Sequence, residues 1–149
     1  MKQPTHVAIR SWGRHVGTVL VDLLGRVGRP RRSGEAGEAL ACRHLEAQGF
    51  VILARNFRCR SGEVDIVGRQ GETTVFVEVK DRSGGSHGEG CDAVTFGKRR
   101  RIVRAALLYA ASRGLCEGAI RFDVIAIDRT PAGTPRLRHE RGAFDLDGR

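Results

Sequence analysis

Between Thr73 and Lys80 the chain reads as an extended strand with a period of two, which places Val75, Val77 and Val79 on one face and Phe76, Glu78 and Lys80 on the other. Glu63–Gly68 alternates as well, which places Val64 and Ile66 on one face and Glu63, Asp65 and Val67 on the other. The turn Arg69–Glu72, with Gly71, joins the two as a hairpin. Upstream, the β-rich run Phe50–Phe57 predicts a further strand, followed by a turn over Arg58–Gly62. On both sides of this block the period changes to that of a helix. Glu38, Ala41, Cys42 and Leu45 stand at i, i+3, i+4 and i+7, in a helix capped by Ser33, running to about Gln48 and stopped by Gly49. Glu38 lies in line with the apolar stripe, so it is expected to point inward. A second helix is predicted over Thr95–Arg113, with Ile102, Val103, Ala106, Leu107 and Ala110 as its buried face, and a last strand over Ala119–Asp128. The stretch between strand and second helix, with Gly84, Gly85, Gly88 and Gly90, reads as a loop, and the tail from Thr130 as poorly ordered. The predicted order is helix, three strands, helix, strand: an α/β fold with a mixed central sheet flanked by helices.

Composition narrows the partners. The chain has 149 residues, the size of one domain, and a net charge of +9. Residues 1–34 carry seven basic side chains and one acid, so most of the excess sits in a leader, 1–33, expected to be disordered or loosely helical. That divides the chain into the leader, a domain over 34–128 and a tail over 129–149. The leader has no secretory pattern and no stretch reaches membrane-spanning length, so the sequence points to a cytoplasmic protein without a membrane partner. A basic balance suits a polyanion such as nucleic acid. Cys42, Cys59, Cys91 and Cys116 are too widely spaced for a zinc or redox motif and are expected to be reduced.

Chemistry concentrates on the hairpin. Asp65 on one strand and Glu78 and Lys80 on the next can meet if the register allows. Two adjacent carboxylates repel unless a cation lies between them, and Mg²⁺ takes one or two carboxylates and completes its shell with water and phosphate. Lys80 is one of only three lysines in a chain whose other basic residues are 23 arginines, and a compact ammonium suits the orientation of a water or the neutralisation of a phosphate. A Glu/Lys ladder on a half-solvated strand would give the same pattern. Lys98, Arg100, Arg101 and Arg104, on the second helix, are candidate phosphate contacts. His87 is the one histidine near these residues, and Trp12 and Tyr109 are too few for a base-stacking platform. Arg55, Asn56, Arg121 and Asp123 read as structural partners for neighbouring charges.

Residues 34–128 resemble the bacterial YraN family, through Gly-Glu-Ala at 37–39, Arg-Asn at 55–56, Gly-Glu-Val-Asp at 62–65, Val-Phe-Val-Glu-Val-Lys at 75–80, Lys98, Arg101 and Arg-Phe-Asp-Val at 121–124. That family is similar in turn to the restriction-endonuclease-like nucleases, with their αβββαβ core and Asp…Glu-x-Lys signature, and among them to archaeal Holliday-junction resolvases. The resemblance implies that Asp65 and Glu78 are ligands of Mg²⁺ or Mn²⁺, with the Val79 carbonyl as a third and Glu38 as an acid from the first helix, and that Lys80 is the catalytic lysine. Val64 stands where the superfamily often has proline before the Asp. The expectation is a metal-dependent nuclease acting on DNA rather than RNA, with branched or structured DNA as substrate, and a homodimer is compatible with it. The alternatives are a non-catalytic nucleic-acid-binding module of the same fold and an adaptor that holds an acidic partner through the leader.

Overall fold

The computed structural model describes residues 7–8, 34–83, 94–129 and 134–149. Most of the leader with Ser33, the Gly-rich loop with His87, and Cys91 lie outside them. The elements are β1 (Val7–Ala8), α1 (Glu35–Ala47), β2 (Val51–Cys59), β3 (Gly62–Gln70), β4 (Thr73–Ser83), α2 (Phe96–Ser112), β5 (Ala119–Arg129) and β6 (Arg136–Phe144). The strands form one mixed sheet in the order β1-β5-β4-β3-β2, with β6 also paired to β5. β2, β3 and β4 are antiparallel neighbours joined by short turns, whereas the crossover through α2 returns β5 parallel to β4.

Each helix buries one stripe on one face of this sheet. Ala41, Cys42 and Leu45 of α1 pack with Ile66, Val75, Val77, Ile125 and Ile127. On the other face Ile102, Ala105, Ala106 and Tyr109 of α2 pack with Val64, Val67, Phe76, Phe122 and Phe144. The α/β class and the alternation of β4 follow the sequence pattern, and α2 adds Ala105 and Tyr109 to the expected stripe while Leu107 is half-buried. α1 starts from Gly34 with no side-chain cap. Among the described residues no helix is long and apolar enough to cross a membrane.

Three expectations are corrected. The C-terminal stretch is not a loose tail, because β6 lies along β5 and its Phe144 is buried. A buried polar clamp secures it: Asp123 accepts two hydrogen bonds from Arg121, at 2.8 and 2.9 Å, one from the Gly142 N–H at 2.9 Å, and pairs with His139 at 2.9 Å. Burial alone would raise the Asp123 carboxyl, but His139, Arg121 and Gly142 together hold it below the usual range. Val7–Ala8, assigned to the leader, pair with Ile120 and Ala119 on the same edge of β5.

The third correction concerns β3. Val64 packs on the α2 face with Val67, whereas Ile66 packs on the α1 face. The alternation therefore breaks at Asp65. Opposite it on β2, Asn56 has φ 53°, in the left-handed region, and the ladder pairs Arg55 with Ile66 and Phe57 with Val64 but not the two residues between. Asn is one of the few residues that accept this conformation, and the paired distortion takes Asp65 out of the regular pleat.

Candidate active site

The β3–β4 ladder runs from Gln70 and Thr73 to Ile66 and Val77 and ends there. Just past that end Asp65 reaches across, and its Oδ2 accepts a hydrogen bond from the Val79 N–H at 2.8 Å. The N–H and C=O of one residue in a strand point to the same edge, so the Val79 carbonyl faces the same opening. Glu78, on the α2 face of β4, is only 2 % exposed. Its Oε1 takes the ammonium of Lys98, from the first turns of α2. Its Oε2 is buried and, among the described residues, has no hydrogen-bond partner.

The electrostatics express a shortage of positive charge. Burial, then the Glu78 charge, push the Asp65 carboxyl up from 3.8 to about 7, against the lowering effect of the Val79 N–H and Lys98. Burial alone would lower the Lys98 ammonium, but the hydrogen bond and charge of Glu78 and the charge of Asp65 hold it above its ordinary value. Glu38 approaches from α1, its side chain 12 % exposed. It accepts from Asn56 Nδ2 at 2.6 Å and lies 3.8 Å from Arg55. Burial raises its carboxyl, the Asn56 hydrogen bond opposes this, and the Asp65 charge adds to the rise. The stripe that placed Glu38 inward thus delivers it to the Asp65 side of the sheet opening.

Lys80 follows Glu78 by two positions on the same face and is half-buried; among the described residues it forms no ion pair. Lys98, expected on a phosphate, is instead turned onto Glu78, while Arg100, Arg101 and Arg104 are exposed. Arg101 and Arg104 line an open cleft of about 970 Å³ between the β2–β3 turn and α2, together with Arg58, Arg60 and Lys98. The arginines of the turn are residues the strand pattern passed over; their signal was two basic residues, Arg58 and Arg60, just ahead of the Gly62 turn. Gly62 fits this wall because a Cβ there would collide with the Arg101 carbonyl.

Asp65, Glu78 and the Val79 carbonyl could together hold a small divalent cation. A buried carboxylate oxygen without a donor, next to a carboxyl forced toward its protonated form, suits Mg²⁺ or Mn²⁺, which need few protein ligands when phosphate and water supply the rest. Among the described residues no group of three or more His, Cys, Asp or Glu side chains is close enough to do so alone.

Residues 37–127 match the uncharacterised protein family UPF0102. The chain is 51 % identical over 114 residues to a UPF0102 protein of Parafrankia sp., an alignment covering 76 % of this chain and 97 % of the relative. It is 46 % identical over 122 residues to that of Nocardia farcinica, covering 82 % and 96 %, and 48 % identical over 113 residues to that of Geotalea daltonii, covering 76 % and 89 %.

Proposed function

Since the chain belongs to the uncharacterised protein family UPF0102, its activity has to be argued from its own site, and we propose that it is a Mg²⁺- or Mn²⁺-dependent nuclease that hydrolyses phosphodiester bonds in DNA, in the cytoplasm. The observation that carries this reading is the buried Asp65/Glu78 pair, with its unpartnered Glu78 Oε2 at the open end of the β3–β4 ladder. The resemblance to restriction-endonuclease-like proteins supports it, through the αβββαβ order and the Asp65…Glu78-Val79-Lys80 spacing.

Asp65, Glu78 and the Val79 carbonyl would hold the cation, which when bound supplies Lewis-acid stabilisation of charge on the phosphate. Asp65 is kept in place by the Val79 N–H, which donates to one of its two carboxylate oxygens. Lys80, on the same face, orients the attacking water and neutralises charge that builds on the phosphate in the transition state. Lys98 offsets the Glu78 charge until a cation shares it. Glu38, held by Asn56 and Arg55, adds negative charge on the far side of Asp65. The exposed arginines of α2 hold backbone phosphates and carry no sequence information, which favours branched or otherwise structured DNA over a short recognition sequence. Attack by water leaves a 5′-phosphate and a 3′-hydroxyl.

One observation favours a second reading, a nucleic-acid-binding module without catalysis: Lys98 already occupies one oxygen of Glu78. Cleavage of end-labelled branched and linear duplexes, with Mg²⁺, Mn²⁺ or EDTA, separates the two. Nuclease action predicts metal-dependent cleavage that Asp65→Asn abolishes; binding of all substrates with no cleavage under any metal would leave only the module.

A further inference from the structure

The cleft beside the Asp65/Glu78 pair has more cation than its neighbours balance. Of its basic lining residues, Lys98 is engaged by Glu78, and Arg58 lies 3.3 Å from Glu63. Arg60, Arg101 and Arg104 also line it, are exposed, and among the described residues have no acidic partner. Three like charges converging on one concave wall repel one another and concentrate an external polyanion. The N-terminal half of α2 adds a second, independent feature. Phe96 is 56 % exposed, so its aromatic face is open to an external partner. Its chain neighbours Thr95 and Gly97 line the cleft, the ring itself lies outside that lining on the first turn of α2, and the Arg100 guanidinium lies 5.8 Å from its centroid. An aromatic face with a guanidinium beside it is a surface on which a nucleobase stacks.

A base within a duplex is already stacked on both sides and its faces are closed to a protein ring, whereas an unpaired base can be splayed onto one. We infer that the cleft receives a single-stranded segment of DNA, with Arg60, Arg101 and Arg104 on successive phosphates and an unpaired base stacked on Phe96. Lys98 belongs both to the cleft wall and to the Glu78 ion pair, so this segment leads into the proposed catalytic pair. The inference rests on the nuclease reading only for the phosphate that would be cut. Flapped and gapped DNA present a single strand next to a duplex; a continuous duplex does not. Trp12 and Tyr109 suggested too few aromatics for stacking, but one exposed ring on the helix that walls a basic cleft is sufficient for one base.

The test uses the full chain in EDTA and fluorescence anisotropy with three probes: an oligothymidine of about 15 nucleotides, its RNA counterpart and a duplex of the same length. The expected result is tighter binding of the single-stranded DNA than of the duplex, lost roughly tenfold to hundredfold in Phe96→Ala and recovered in Phe96→Trp, with duplex binding unchanged. Arg60→Ala and Arg101→Ala should each flatten the salt dependence for the single strand by about 0.7 of a log unit per log unit of salt. Phe96 is exposed, so its variants keep the fold, which circular dichroism verifies. Equal loss of single-strand and duplex binding in Phe96→Ala, no loss at all, or tighter binding of the RNA would overturn the proposal. Metal-dependent cleavage of duplexes without single-strand preference would refute the cleft assignment and leave the nuclease reading standing. Single-strand binding without cleavage would do the reverse.

Discussion

Replacing Asp65 with Asn should make the metal-free protein more stable at alkaline pH. Asn keeps an oxygen to accept the Val79 N–H but cannot ionise beside Glu78. The folded protein holds the Asp65 carboxyl at about 7 against an ordinary 3.8. In the unfolded chain the proton leaves near pH 4, so between there and pH 7 the unfolded state binds fewer protons than the folded one. The stability this group contributes is therefore fully present below pH 4 and is lost as the pH rises through 7. The difference sets a ceiling of about 4 kcal/mol at pH 8. Part of it is shared with Glu78, so a gain of about 1–3 kcal/mol in Asp65→Asn is expected, or roughly 3–10 °C in melting temperature for a chain of this size. At pH 4 the variant and the parent should coincide. Urea and thermal denaturation in EDTA across pH 4–8 measure this directly. Repeating the series with Mn²⁺ should stabilise the parent, by mass action, and not the variant. A variant no more stable than the parent at pH 8, or equally shifted at both ends of the range, would refute the electrostatic account of the site.

Three further substitutions probe the same arrangement. Lys98→Gln removes the partner of a buried carboxylate, and because the Lys98 side chain is 39 % exposed the cost at neutral pH should be about 1–3 kcal/mol in urea denaturation; with the competing ammonium gone, Mn²⁺ affinity by calorimetry should rise, and a fall would show that Lys98 is not a stand-in cation. Lys80→Arg keeps the charge but replaces a compact ammonium with a planar guanidinium, so metal binding should survive while single-turnover cleavage drops roughly a hundred- to ten-thousandfold; undiminished cleavage would reduce Lys80 to a counter-charge. Gly62→Ala forces a Cβ onto the Arg101 carbonyl and should destabilise the fold by about 1–3 kcal/mol, a loss that denaturation would contradict if it fell within experimental error of zero.

The sequence by itself determined whatever depends on local periodicity. Period two across Val75–Lys80 fixed which β4 residues face α1 and which face α2, because a pleated strand must alternate. The helical stripe through Glu38, Ala41, Cys42 and Leu45 turned one carboxylate inward, and the hairpin put Asp65 and Glu78 on neighbouring strands, though the two-residue turn that sets their register was decided in the assembled sheet. Tertiary structure decided what depends on partners distant in the chain. The break in alternation at Asp65 needs Asn56, nine residues earlier, in a left-handed conformation that no pattern of apolar residues encodes. Lys98 finds Glu78 only because the crossover to β5 lays the start of α2 over the open end of the hairpin. The strand β6, weakly patterned and rich in charge, forms because β5 offers it a free edge and Asp123 offers it a buried anchor. Hydrogen-bonding edges and buried charges act through space, so their outcome was fixed only when the sheet was assembled.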